Sequence, residues 1–308
     1  MLSAWRRFWF QPGTTFPLEI CRGLLGSALL FGYAGLTRRL LDLYGDAGWI
    51  SREAVQMDLG SPWRQSIFFY FQHPGELLLF HLFFLFCCAA LALGFGTRWV
   101  KWIVLLGHLS YLKRNPVAAY GADTLAASLL FALALAPIGR ELSVDRWLAA
   151  RKGKPPPGES SWATACTRLI QLQMVVVYFY TGLGKLRGTE WWSGDAVWVA
   201  LQGFEFVRPS VMIWLAQHYW LVNLTTYGTL ALEFTYPFFI WKRSTRPFLL
   251  AGAVALHLGI SLVMRLYYFS AVMIAGHLAF LRPEWLAGLR SQAARCYTEF
   301  KLKRKRLP

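Results

Sequence analysis

Long apolar runs recur along the chain, and short polar or basic stretches separate them. Most runs approach the length of a helix that crosses the ~30 Å hydrocarbon core of a bilayer, which needs about 20 residues. The apolar residues are continuous rather than alternating, so the pattern favours helices over the strands of a membrane barrel. We predict eight spans, at residues 18–37, 76–96, 99–112, 122–138, 163–184, 219–240, 247–264 and 267–281. The expected fold class is an all-α integral membrane protein, a polytopic bundle of about eight transmembrane helices plus interfacial helices.

The segments outside the spans suggest a simple domain plan. Residues 1–16 combine arginines with aromatic residues, which is typical of a helix lying in the membrane interface. Residues 17–283 are expected to form one transmembrane domain, and residues 284–308 a basic cytoplasmic tail. A further amphipathic stretch lies between spans five and six, at 195–217.

Composition supports a membrane protein. Of the 308 residues, 56% are hydrophobic and only 16% are charged, whereas a soluble domain carries about a quarter charged residues. The net charge is +16, but the positive residues lie in the loops and the tail. That distribution is typical of membrane topology and contact with anionic lipid, so we expect the lipid bilayer as a partner and no nucleic acid.

The basic loops also predict an orientation. In an eight-span arrangement most of them fall on the same side as both termini, and positive loops face the cytoplasm. Both termini are therefore expected in the cytoplasm. The opposite side then holds the loop at 42–64, the turn at 113–121 and the segment at 185–216.

Lys185 closes the apolar run of span five and is followed by Trp192. A lysine at this position is either an anchor that extends its ammonium group to the lipid headgroups, or a base desolvated among aromatic rings. Tyr178 lies two helical turns before Lys185, on nearly the same face. It belongs either to an aromatic belt at the interface or to a site for a ring-shaped ligand. Spacing alone leaves these alternatives open.

The turn between spans three and four carries Arg114, Asn115 and Asp123. These residues predict either a hydrogen-bonded, salt-bridged hairpin or a polar site. Asp123 lies just inside an apolar segment, and ionisable groups in a membrane are costly unless they are paired or functional.

Two more polar residues lie within spans. His257, in span seven, is either a helix-packing histidine or a group that contacts a ligand. Glu233, in span six, requires a partner, for which topology offers Lys185, His257 or Arg265. The six histidines form no HxxxH cluster, so no metal is predicted.

These residues occur within an ordered set of motifs. The set comprises Leu43-Tyr44-Gly45-Asp46-x-Gly48-Trp49, Arg114-Asn115-Pro116 with Tyr120-Gly121-x-Asp123, Tyr178-x-x-x-Gly182-x-x-Lys185-Leu-x-Gly188 with Trp192-x-Gly194-x-Ala196, Glu233, His257-x-Gly259 and Phe269-Ser270 with Met273. The combination resembles the HTTM (horizontally transferred transmembrane) domain family, whose membrane domain is shared with the vitamin K-dependent gamma-carboxylases. The similarity extends over about 17–283.

The resemblance implies membrane chemistry on a reduced, vitamin K-like quinone. In the carboxylases a lysine base deprotonates the hydroquinone, and Lys185 occupies the matching position. Lys185 and His257 are accordingly the predicted catalytic residues, acting on a peptide or protein substrate. The predicted substrate- or cofactor-binding residues are Arg114, Asn115, Asp123, Tyr178, Trp192 and Glu233.

Two departures separate this chain from the carboxylases. Pro116 stands where they have a histidine, and only the basic tail follows residue 283, where they have a long soluble region. The chain is therefore more similar to short bacterial members, which places it in a bacterial inner (plasma) membrane and argues against gamma-carboxylation itself. The alternative function is a non-catalytic membrane module that assists peptide maturation, export or immunity. A transporter is a third hypothesis, for which the sequence shows no broken helices in matched halves.

Overall fold

A computed structural model describes residues 2–59, 65–203, 207–282, 284–288 and 291. Every regular element of more than one residue in these ranges is helical, which confirms the all-α fold class. The α-helices are α1 Leu2–Phe10, α2 Phe16–Leu36, α3 Leu40–Tyr44, α4 Arg52–Leu59, α5 Pro74–Leu93, α6 Thr97–Arg114, α7 Gly121–Leu135, α8 Val144–Arg151, α9 Ser161–Lys185, α10 Thr189–Ser193, α11 Ala196–Gln202, α12 Pro209–Gln217, α13 Tyr219–Phe239, α14 Arg246–Met264 and α15 Tyr267–His277. Short 3-10 turns lie at Thr37–Arg39, Ile67–Tyr70 and Leu278–Phe280.

Each predicted span coincides with one helix, namely α2, α5, α6, α7, α9, α13, α14 and α15. Three stretches in the described ranges are long and apolar enough to cross a membrane: Phe16–Tyr44, Pro74–Leu93 and Arg246–Met264. Gly121–Leu135 and Tyr267–Phe280 are shorter apolar helices. The total of eight crossings stays a prediction.

The chain divides into two compact units, one formed by residues 1–170 with 281–308 and the other by residues 171–280. The predicted domain bounds, 1–16, 17–283 and 284–308, stay a prediction. Helix α1 lies within the predicted lead-in. Most of the predicted tail at 284–308 lies outside the described residues.

In the first unit, α2 packs along α5, α5 against α6, and α6 against α7. The approach of α2 to the end of α5 is close enough to require a glycine. A Cβ atom at Gly26 would lie 2.7 Å from the backbone nitrogen of Ala92, so a side chain there would push the helices apart. Helix α5 begins at Pro74, where the Glu76 carboxylate accepts the backbone N–H groups of Gln72 and His73.

In the second unit, α14 packs against α15 and α13, while α10, α11 and α12 contact α13. The second half of α9 contributes Met174 and Tyr178 to the interior, where both are buried. A Cβ atom at Gly276 would collide with the Met174 side chain, so the glycine leaves room for this methionine between α9 and α15. The interior of this unit is thus built from α9, α13, α14 and α15.

A buried ion pair joins the elements of the first unit. Arg22 and Glu19 in α2 are 2% and 0% exposed, and Arg22 Nε lies 3.0 Å from Glu19 Oε2. The Arg22 guanidinium also donates to the carbonyls of Leu91, Ala92 and Leu142. Glu19 Oε1 accepts the backbone N–H groups of residues 140 and 141. The pair therefore binds carbonyls at the end of α5 and holds the loop that follows α7.

Replacement of Arg22 by alanine should destabilise the protein strongly. It leaves the Glu19 carboxylate buried without a cation, which costs about 3–5 kcal/mol. Thermal and denaturant unfolding in detergent, followed by circular dichroism, measures this change. Arg39→Ala, which removes an exposed arginine just after the same helix, is the matched control and should change stability by less than about 0.5 kcal/mol. Equal stability of the two variants would contradict the structural role of the pair.

Candidate functional site

Lys185 and Glu233 form an ion pair in the second unit. Lys185 is the last residue of α9, Glu233 lies in the second half of α13, and Lys185 Nζ is 2.8 Å from Glu233 Oε2. The two side chains are 22% and 11% exposed. Gly182 lies one turn before Lys185, and a Cβ atom there would lie 3.4 Å from the backbone carbonyl of Glu233. The missing side chain lets α9 and α13 approach at the level of the pair.

Trp191 covers the ammonium group of Lys185. Lys185 Nζ lies 5.1 Å from the centroid of the Trp191 ring, within the range of a cation–π contact. The turn that carries Trp191 is attached to α13, because Tyr227 Oη donates to the Trp192 carbonyl and Asn223 Nδ2 donates to the Gly194 carbonyl. The backbone at Gly194 has φ 87°, which favours glycine.

A group of buried tyrosines and histidines lies deeper in the same unit. Tyr178 Oη is 3.0 Å from His257 Nε2 and 3.0 Å from His277 Nε2. Tyr236 Oη is 2.8 Å from His277 Nδ1, and the rings of Tyr178 and Tyr236 stack with centroids 4.2 Å apart. His257 Nδ1 has no hydrogen-bond partner among the described residues, although its side chain is only 3% exposed.

The ion pair and this group lie on shared helices. Tyr178 and Lys185 are seven residues apart on α9, about 10 Å along the helix axis and on nearly the same face. Glu233 and Tyr236 are one turn apart on α13. The structure thus brings together four of the predicted site residues in one unit: Lys185, Glu233, Tyr178 and His257.

Arg114 and Asn115 belong to the first unit, where both bind backbone carbonyls. Arg114 donates to the carbonyls of Gly45 and Ile50, and Asn115 Nδ2 donates to the Leu43 carbonyl at 2.8 Å. These contacts hold the loop at 43–50, as expected for the hydrogen-bonded hairpin that the sequence also allowed. Their predicted role in ligand binding stays a prediction.

Asp123 and Trp192 also have local partners. Asp123 Oδ2 accepts the backbone N–H of Tyr120 at 3.0 Å and caps the start of α7. Trp192 is 61% exposed, and its Nε1 donates to the Leu186 carbonyl at 2.9 Å. The tryptophan that contacts Lys185 is its neighbour Trp191.

Three residues of the site were not identified from the sequence: Trp191, Tyr236 and His277. Trp191 and Trp192 are adjacent, and the sequence does not say which of the two faces the lysine. In the sequence, Tyr236 is only an aromatic residue one turn after Glu233, and His277 is an isolated histidine. No sequence signal links His277 with Tyr178, because their contact depends on how α9 and α15 pack.

The arrangement can hold and move protons. Lys185 and Glu233 form either a charged pair or, after one proton crosses between Nζ and Oε2, a neutral amine and acid. Among the described residues there is no group of three or more His, Cys, Asp and Glu side chains suited to a metal ion.

Comparison with protein families identifies the family of the chain. The family model described as HTTM domain matches residues 47–285. No curated protein and no solved structure matches the chain. The matched segment includes the whole ion pair and all four residues of the tyrosine–histidine group.

The two members of the ion pair should be energetically coupled. Lys185→Met and Glu233→Gln should each destabilise the protein, because each leaves a partly buried polar partner unpaired. The double variant should lose less stability than the sum of the two, with a coupling of about 1–3 kcal/mol. Thermal unfolding in detergent measures the cycle. Lys242→Met provides the control, since Lys242 is an exposed lysine that lies over Phe239. Additive effects of Lys185→Met and Glu233→Gln would show that the pair contributes nothing.

Proposed function

This chain belongs to the HTTM domain family, and we propose that it is a membrane-embedded enzyme whose Lys185–Glu233 pair takes a proton from a hydroxyl group of a quinone-like ligand. The observation that carries the proposal is the 2.8 Å contact between Lys185 Nζ and Glu233 Oε2 at the end of an apolar helix. A lysine that serves only as an anchor needs no buried carboxylate. An ammonium group paired with a carboxylate within a unit of apolar helices is typical of a functional site.

The surrounding residues fit a ring-shaped, lipid-soluble ligand. Trp191 supplies an aromatic face beside the Lys185 ammonium. His257 Nδ1, buried and without a partner among the described residues, offers a hydrogen bond to a ligand oxygen. A buried polar atom of this kind costs free energy unless something binds it, so it supports a polar ligand in this region. A reduced quinone, when bound, supplies a ring hydroxyl that becomes a stronger reductant and nucleophile after losing its proton.

Lys185 can accept a proton only after it has given one away. In the charged pair, Nζ carries three hydrogens and has no lone pair to offer. Transfer of one proton from Nζ to Glu233 Oε2 leaves a neutral amine whose lone pair can then accept the hydroxyl proton. Lys185 is therefore the proposed base, and Glu233 the group that stores its proton.

Removal of the base should abolish deprotonation of a reduced quinone. Reduced menadione is added without oxygen to purified protein in nanodiscs, and the absorption band of its anion is recorded. Wild type and Lys242→Ala should produce the band, whereas Lys185→Ala should reduce it at least tenfold. Lys185→Arg should fail as well, because a guanidinium group keeps its proton. Mass spectrometry of the same samples reports which quinones co-purify.

The result that would overturn the proposal is an undiminished band in Lys185→Ala protein that unfolds at the wild-type temperature.

A specific observation favours the alternative, a non-catalytic module that binds a peptide or protein. Large aromatic side chains are exposed around α10 to α13, namely Trp192, Trp214 and Trp220. In that case Lys185→Arg would keep full function in cells, and a partner would be recovered without quinone.

We also propose that the protein lies in a bacterial inner membrane with both termini in the cytoplasm, which the basic loops support. Gly158 and Thr189 are exposed and fall on opposite predicted sides. Gly158→Cys should react with a membrane-impermeant maleimide only after the cells are opened, whereas Thr189→Cys should react in intact cells. The four cysteines in the described ranges are buried. Both variants also carry Cys296→Ser, because Cys296 lies in the predicted cytoplasmic tail and would otherwise react in opened cells. The reverse labelling pattern would invert the topology.

A further inference from the structure

The tyrosine–histidine group of the second unit is a continuous series of hydrogen bonds. It runs from Tyr236 Oη to His277 Nδ1, from His277 Nε2 to Tyr178 Oη, and from Tyr178 Oη to His257 Nε2. All four side chains are at most 3% exposed. Each group in the series can both donate and accept a hydrogen bond, so no member breaks its continuity.

The position of Tyr178 between His257 and His277 requires the two histidines to be different tautomers. Its hydroxyl has one hydrogen, yet it lies 3.0 Å from the Nε2 atoms of both His257 and His277. It can donate to only one of them, so the other must donate to it. In their neutral forms, one histidine therefore carries its hydrogen on Nε2 and the other on Nδ1.

We propose that Tyr236, His277, Tyr178 and His257 form a proton-transfer chain with two states. In the first state, hydrogen bonds point from His257 Nε2–H through Tyr178 and His277 towards Tyr236. A proton that binds at His257 Nδ1 displaces the Nε2 proton to Tyr178. The Tyr178 proton then passes to His277 Nε2, the His277 Nδ1 proton passes to Tyr236, and Tyr236 gives its own proton to a water molecule, which is the acceptor that the step requires. Every bond is then reversed, every group is neutral again, and one proton has crossed the chain.

The chain has two distinct ends. Tyr236 lies one turn before the end of α13, which leads into the basic segment at 242–246. His257 lies in the interior of α14, and its Nδ1 has no partner among the described residues. The chain therefore connects the basic end of the unit with an open hydrogen-bonding position inside it.

His257 Nδ1 can bind a ligand oxygen, a step that rests on the proposed function. A ligand hydroxyl donates to an unprotonated His257 Nδ1 and stabilises the first state. A ligand carbonyl accepts from His257 Nδ1–H and stabilises the second. The oxidation state of a quinone-like ligand would thus select the direction of the chain.

Without ligand, the second state should dominate. In that state Tyr236 donates to His277, and only the His257 Nδ1–H group lacks a partner. In the first state both the Tyr236 hydroxyl hydrogen and the His257 Nδ1 lone pair lack one. The wild-type protein should therefore hold His257 with its hydrogen on Nδ1 and His277 with its hydrogen on Nε2.

Nitrogen NMR of ¹⁵N-histidine-labelled protein in nanodiscs, without ligand, tests the chain. Signals of His257 and His277 are assigned by comparison with His257→Gln and His277→Gln. Tyr236→Phe removes the asymmetry between the states, so both tautomers should appear at His257 as well as at His277, although the hydrogen bonds connect Tyr236 with His257 only by way of His277 and Tyr178. Tyr180→Phe removes an exposed tyrosine from the same helix as Tyr178 and should leave both histidines unchanged.

Two results would overturn the proposal. One is the same tautomer on both histidines in the wild type. The other is a response to Tyr236→Phe that is confined to His277 in folded protein.

Addition of reduced menadione should move His257 towards the Nε2–H form, and addition of oxidised menadione should not. Because the ligand-free spectra require neither Lys185 nor a quinone, loss of the menadione anion band in the earlier test would leave this outcome unaffected.

Discussion

A polar group among closely packed apolar helices must find its partner within the protein, and the architecture of this chain depends on that constraint. The first unit meets it with the Arg22–Glu19 pair, whose charged atoms bind each other, three carbonyls and two backbone N–H groups. The second unit meets it with the Lys185–Glu233 pair and with four linked aromatic and imidazole side chains. In both units, the helices are positioned so that their polar side chains meet.

His108 of the first unit is held in a single tautomer, unlike the two histidines of the series from Tyr236 to His257. In the first unit, His108 Nε2 lies 2.9 Å from the carbonyl oxygen of Asp123, and its Nδ1 lies 2.8 Å from Tyr33 Oη. A carbonyl only accepts, so Nε2 must carry the hydrogen and Tyr33 must donate to Nδ1. No carbonyl lies in the series from Tyr236 to His257, so neither direction is imposed on it. The hydrogen bonds of His108, which allow one tautomer, are suited to stability. Those of the series from Tyr236 to His257, which allow two, are suited to proton exchange.

The sequence was sufficient to locate the helices, because continuous apolar runs depend only on local composition. It was also sufficient to show that Glu233 needs a partner. It did not choose among Lys185, His257 and Arg265, because that choice depends on the packing of α9 against α13, which Gly182 makes close.

Other parts of the site depend on geometry that leaves no trace in local sequence. The phase of the short helix α10 decides that Trp191 rather than Trp192 meets Lys185, and this phase is set by a turn whose conformation follows from contacts with α13. His277 carries no motif, since its two partners come from α9 and α13. The sequence cannot separate the alternatives for Arg114 and Asn115, because a hairpin and a ligand site use the same residue types.

The short distance inside the ion pair has an electrical consequence. A charge that crosses the whole membrane gains about 2.3 kcal/mol per 100 mV. Lys185 Nζ and Glu233 Oε2 are 2.8 Å apart, so a proton that passes between them crosses less than about a tenth of the ~30 Å hydrocarbon core, and the membrane voltage changes its energy by less than about 0.2 kcal/mol per 100 mV. Chemistry confined to this pair would therefore proceed almost equally well in an energised and a de-energised membrane.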